Sequence, residues 1–133
     1  MKQISVSEWL EGSKYFDVLD DSDKDFIINF NRVAIAVYEN SVVKGFWDES
    51  NPLRDGELIA LIHSELSEAL EALRNGNPAD DKLSEFSGLE AELADCVIRI
   101  MQMGIAKKLR LPEAILAKVA YNHCRPYKHG KEF

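Results

Sequence analysis

Long apolar runs are missing from this chain. No uninterrupted stretch approaches the roughly 20 residues that a membrane-spanning helix needs. The opening Met1-Lys2-Gln3-Ile4-Ser5-Val6-Ser7-Glu8 lacks the apolar segment of a secretory leader. Cysteine is scarce: Cys96 and Cys124 stand alone, with no CxxC, so reduced thiols and a cytoplasmic location are expected. Basic residues are outnumbered, 16 Lys and Arg against 23 Asp and Glu, for a net charge of −7. That balance argues against a nucleic-acid polymer or an anionic membrane surface as the main partner, since both attract basic faces. The glycine-rich phosphate loops GxGxxG and GxxxxGK[ST] and the nucleophile elbow GxSxG are absent too.

What is present suits one globular domain. The chain has 133 residues, 46% of them hydrophobic, enough for a core and too many for wholesale disorder. Charge is unevenly spread. Residues 1–25 hold seven acids against three lysines, whereas Lys118, Arg125, Lys128 and Lys131 lie in a stretch with two histidines and no acid. That basic tail is either a local anion site or a solvated terminus.

Periodicity predicts four helices and no strand. Phe26, Ile27, Phe30, Val33, Ala34, Val37 and Tyr38 recur at helical spacing after the N-cap candidates of Asp20-Asp21-Ser22-Asp23, and this helix ends near Gly45. Gly45-Phe46-Trp47-Asp48-Glu49-Ser50-Asn51-Pro52 reads as a loop. A second helix runs from about Asp55 to Arg74 and stops at Asn75-Gly76-Asn77-Pro78; a third covers about Ser87 to Leu109; a fourth starts at Pro112 and ends before Pro126. Ser5-Val6-Ser7-Glu8 is positioned to cap a short extra helix around Trp9 and Leu10. The expected fold is an all-α bundle.

Acids fall where apolar residues belong. At 100° per residue, Leu58, Leu61, Ile62, Ala69 and Ala72 project within about 60° of Glu65, and Glu68 sits at the edge of that stripe. On the third helix Glu92 shares its face with Leu89, Cys96 and Met103, Asp95 lies about 60° to one side, and Arg99 points the same way two turns on. Three of these four acids are therefore expected to turn wholly or partly inward. Carboxylates converging between helices cannot satisfy one another and need cations; an oxygen-only set selects a hard divalent ion such as Mg²⁺ or Mn²⁺. A solvated acidic face is the alternative. Glu57, Glu71 and Glu90 project to polar or peripheral positions. His63 lies about 160° from Glu65 and is expected to be packed or capping, which weakens a di-iron reading built on Glu-x-x-His pairs. Cys96 reads as a small core residue.

Glu65-Leu66-Ser67-Glu68, then 23 residues, then Glu92-Leu93-Ala94-Asp95 resembles the ExxE…ExxD signature of the MazG-like, all-α nucleoside triphosphate pyrophosphohydrolases. Gly45-Phe46-Trp47-Asp48, the run from Ile59 to Ala72, and Lys118-Val119-Ala120-Tyr121-Asn122 leading to Arg125-Pro126-Tyr127-Lys128-His129-Gly130-Lys131 resemble that family as well. The likeness covers residues 26–131, leaving 1–25 as an N-terminal extension or cap. It departs at Ser64 and Ala91, where family members often double the acid, and so withholds support for an extra ligand, base or third ion.

The resemblance implies hydrolysis of a nucleoside triphosphate to monophosphate and pyrophosphate, in nucleotide-pool house-cleaning. It places Mg²⁺ on Glu65, Glu68, Glu92 and Asp95; on mechanistic grounds the general base is expected to be one of these four that is not fully committed to metal, with Glu65 and Glu68 the candidates. It places phosphate and sugar on Lys118, Asn122 and Arg125, with Tyr127 and Lys128 in reserve. Trp47 is a candidate for stacking on the base or for a hydrophobic staple between helices. A dimer or tetramer is implied. Leu93, Val97, Ile98, Met101 and Ile105 independently make the third helix apolar almost all round, which also predicts a homo-oligomer. Competing functions are a dUTPase-like or phosphoribosyl-ATP pyrophosphohydrolase of the same superfamily, or a non-catalytic helical interaction module.

Overall fold

Four helices account for most of the chain in the computed structural model, which describes residues 19–50 and 52–123. They are α1 (Asp21–Val43), α2 (Asp55–Arg74), α3 (Gly88–Ala106) and α4 (Leu111–His123). Among the described residues there is no strand, only a single bridge between Ala79 and Ser87. No helix there is long and apolar enough to cross a membrane. The extra helix around Trp9, and Cys124, Arg125, Tyr127 and Lys128, lie outside the described residues.

The helix ends follow local chemistry. Asp20 accepts the Asp23 N–H at 2.9 Å and caps α1. The Glu57 carboxylate accepts the Arg54 N–H at 2.7 Å ahead of α2. At α3 the capping box is reciprocal: Ser87 Oγ accepts from Glu90 N, and Glu90 Oε2 accepts from Ser87 N at 2.8 Å. Gly76, at φ +81°, and Asn77, at φ +51°, turn the chain out of α2. The Asn77 side chain then accepts the Leu89 N–H and fastens the first turn of α3 to that turn. Helix α3 stops at Ala106, three residues before the expected Leu109. Lys108 takes φ +53° and the Leu109 N–H returns to the Gly104 carbonyl, a C-terminal turn with no glycine to announce it.

The described residues divide into two compact units. Residues 34–109 form one, and 19–33 with 110–123 form the other. In the first, α2 and α3 are an antiparallel hairpin: Asp55 pairs with Lys107, Glu65 with Arg99, and Ala72 faces Gly88. A Cβ added at Gly88 would stand 3.1 Å from the Ala72 Cβ, so the helices approach closely where α3 begins. Leu58, Ala69, Cys96 and Ile105 are buried, Cys96 as the small core residue expected. In the second unit Ile27 and Pro112 are fully buried, Phe26 and Phe30 pack with ring centroids 5.8 Å apart, and Arg110 reaches the buried Glu113 at 3.5 Å.

Candidate metal centre

Helices α2 and α3 supply the site, and its depth follows from their register. Glu65 occupies the inner stripe of α2 and is 6% exposed. Glu92 of α3 is half-buried, while Glu68 and Asp95 are exposed. Two acids therefore turn inward rather than three: the edge positions fall beyond the line where the helices meet, and solvent reaches them.

Glu65, Glu68 and Glu92 each offer a carboxylate oxygen, and these three oxygens lie within 4.8 Å of one another. One ion can be reached by all three. Asp95 stands beside this trio, close enough for its charge to act on Glu92. Burial pushes the Glu92 carboxyl above its ordinary value, and the negative charges of Glu68, Glu65, Asp95 and Asp80 push it further. Asp80 is itself held low by the Leu83 and Lys82 N–H groups, so it stays ionised and adds to the field. The uncompensated repulsion on Glu92 is what a cation would relieve. Oxygen-only donors, with no His or Cys in the trio, fit a hard divalent ion such as Mg²⁺ or Mn²⁺.

One cation is built in. The Arg99 Nε–H donates to Glu65 Oε1 across the hairpin. This pair is the site's one direct charge compensation among the described residues, and the other acids have no such partner.

A cavity of about 230 Å³ opens against Glu65, Asp95 and Arg99. Leu58, Leu61 and Ile98 form its apolar floor from the helices, and Phe46, Trp47 and Leu53 bring in the preceding loop. Gln102 is the one side-chain amide in the lining, offering both a donor and an acceptor. Trp47 meets Tyr38 edge-on, with centroids 5.3 Å apart, so the ring is stapled to α1 and also faces the cavity.

Lys118 and Asn122 are exposed on α4, in the other unit, and Lys118 Nζ stands 5.2 Å over the Tyr121 ring. Arg125, Tyr127 and Lys128 fall outside the described residues. His63 is exposed, not packed or capping as expected, because its direction on α2 is away from the α3 seam. Glu57, Glu71 and Glu90 serve the surface, in helix caps and short-range pairs with Arg54 and Arg74. The sequence did not single out Gln102, although it lies seven residues after Asp95 and three after Arg99, on the same face. Set against known protein families, curated proteins and solved structures, the chain matches none.

Proposed function

We propose that this protein is a Mg²⁺-dependent nucleotide pyrophosphohydrolase that converts (deoxy)nucleoside triphosphates to monophosphate and pyrophosphate in the cytoplasm. The observation that carries the reading is the convergence of Glu65, Glu68 and Glu92 within 4.8 Å beside an apolar, aromatic-walled cavity. Three converging carboxylates, one of them buried and only that one paired with a guanidinium, gain most from a divalent ion seated among them. Mn²⁺ would substitute for Mg²⁺ on the same oxygen ligands.

Glu65, Glu68 and Glu92 would hold the ion, with Asp95 at its side. A bound ion supplies charge neutralisation at the phosphates and a more acidic water. A carboxylate of the cluster accepts a proton from the attacking water, whose oxygen bonds to the α-phosphorus. The bond from that phosphorus to the α,β-bridging oxygen breaks, and its electron pair leaves with pyrophosphate. Lys118, Asn122 and Arg125, with Tyr127 and Lys128, are the anion and sugar ligands of this reading.

The cavity suits the base. Its volume of about 230 Å³ falls below the roughly 300–1,000 Å³ of sites for whole drug-sized ligands, which favours one heterocycle over a complete nucleotide. Trp47 gives a stacking face and Gln102 a donor and an acceptor.

The reading extends to a homodimer or homotetramer. Leu93 and Val97 of α3 and Ile59, Leu66 and Leu70 of α2 remain exposed at helical spacing. A hairpin with apolar stripes on its outside is half of a helical core, and a second copy provides the other half. Light scattering should give a mass of at least twice 15.1 kDa; a 15.1 kDa species at micromolar concentration would contradict it.

The function is tested by incubating the protein with Mg²⁺ and a panel of nucleoside and deoxynucleoside triphosphates, with products resolved by phosphorus NMR. Monophosphate with pyrophosphate supports the proposal. Diphosphate with orthophosphate, or no turnover across the panel, overturns it.

A further inference from the structure

We propose that Arg99 is the site's resident cation: it holds Glu65 in the metal-free protein, yields that carboxylate to the divalent ion, and then turns its guanidinium to the phosphates of the substrate. The inference rests on the reading of the acid cluster as a metal centre and assigns a role to a residue which that reading leaves unused.

The first support is the partner Arg99 has. Of the clustered acids, its Nε–H reaches Glu65, the most buried member, with a side chain 8% exposed. A divalent ion seated on Glu65, Glu68 and Glu92 needs that same carboxylate. Guanidinium and metal therefore compete for one ligand, and the stronger point charge of a dication, shared among three acids, wins. Arg99 leaves Glu65 by rotating its long side chain.

The second support is where Arg99 has room to go. Its side chain is 37% exposed and lines the cavity together with Glu65 and Asp95. It is the one Lys or Arg in that lining. The bond to Glu65 uses Nε, and four of the five N–H donors of the fork sit on the terminal nitrogens. Such a fork matches phosphate oxygens in pairs, which an ammonium cannot do. Because Glu65 and Arg99 are on different helices of one hairpin, the exchange needs side-chain rotation alone.

The exchange makes loading and substrate binding sequential. Without metal, Arg99 is spent on Glu65 and phosphate meets uncompensated carboxylates. With metal, Glu65 is taken and Arg99 is released toward the anion. Arg99 is accordingly a metal-competing and phosphate-binding residue rather than a strut between helices.

The test uses the full chain and Arg99→Gln and Arg99→Lys, all checked for helix content by circular dichroism. Mn²⁺ affinity is measured by electron paramagnetic resonance, and inorganic pyrophosphate affinity by calorimetry on the Mn²⁺-saturated proteins. Arg99→Gln should bind Mn²⁺ roughly tenfold more tightly, the order expected from removing one screened unit charge beside a dication, and pyrophosphate at least tenfold more weakly. Arg99→Lys keeps the charge and should hold Mn²⁺ as the parent does while losing severalfold in pyrophosphate affinity, so it reads the proposal even if Arg99→Gln folds poorly. Unchanged or weaker Mn²⁺ binding in a folded Arg99→Gln would overturn the competition. Unchanged pyrophosphate affinity in both variants would overturn the transfer to phosphate. A parent protein that binds no Mn²⁺ would overturn the metal centre itself, which separates that failure from the failure of Arg99.

Discussion

The Arg99 guanidinium and the Glu65 carboxylate, 34 positions apart in sequence, are bonded across the α2–α3 hairpin at the level of the acid cluster. The deepest acid of the site is thus also an interhelix fastening. Replacing Glu65 with Ala should lower stability in EDTA by about 1–2 kcal/mol, because Arg99 keeps its charge and loses its partner while remaining partly solvated. Urea unfolding measures the loss, and turnover should disappear in the same variant.

Glu68 offers the contrasting case. It is exposed, and its proposed work is to hold metal. Glu68→Ala should unfold within about 0.5 kcal/mol of the parent and yet lose at least 100-fold in turnover at low Mg²⁺. Full activity in this variant would remove Glu68 from the ligand set.

Glu92 sets a pH dependence whose sign can be worked out. Burial and neighbouring acids raise its carboxyl in the native state above the ordinary 4.5. From that value up to the raised one, the native chain binds more protons than the unfolded chain, so stability falls as pH rises through the window. Glu92→Gln should therefore melt above the parent at pH 7 in EDTA, with the gain absent at pH 4. Saturating Mg²⁺ should stabilise the parent and not the variant. Calorimetry at the two pH values checks both parts.

Trp47 is expected to divide its effect between KM and kcat. Base–aromatic stacking is worth about 1–3 kcal/mol, and the ring lies in the cavity wall without belonging to the acid cluster. Trp47→Ala should raise KM about tenfold or more and change kcat little. Steady-state kinetics on the preferred triphosphate reads the split.

Gly88 tests the hairpin away from the chemistry. A side chain there meets Ala72 at once, its Cβ at 3.1 Å, so Gly88→Val should destabilise by about 1–3 kcal/mol through overpacking. Thermal unfolding measures it.

Some of this arrangement is legible in the sequence, and the reasons are local. The bounds of α2 coincide with expectation because Asn75, Gly76 and Pro78 stop it and the acids Asp55 and Glu57 start it. The inward turn of Glu65 follows from 3.6-residue periodicity. The sequence pattern carries α3 on to Leu109, whereas the helix ends at Ala106, because Lys108 adopts a left-handed turn that no residue type marks. The wheel puts Glu68 and Asp95 at the edges of their stripes, but whether an edge position is buried depends on how far the two helices overlap, which is a tertiary quantity. The Arg99–Glu65 bond and the approach of Phe46 and Leu53 to the cavity have the same character: a helical wheel gives direction on one helix, while register between helices and the course of a loop come from packing.

The central claim is that water attacks the α-phosphorus of a nucleoside triphosphate at the Glu65, Glu68 and Glu92 cluster in a Mg²⁺-dependent step. Hydrolysis in ¹⁸O-labelled water, with products separated and weighed by mass spectrometry, tests it most directly. The account predicts the label in the monophosphate, none in the pyrophosphate, and no incorporation once EDTA is added. Label in pyrophosphate, or turnover that persists in EDTA, would contradict it.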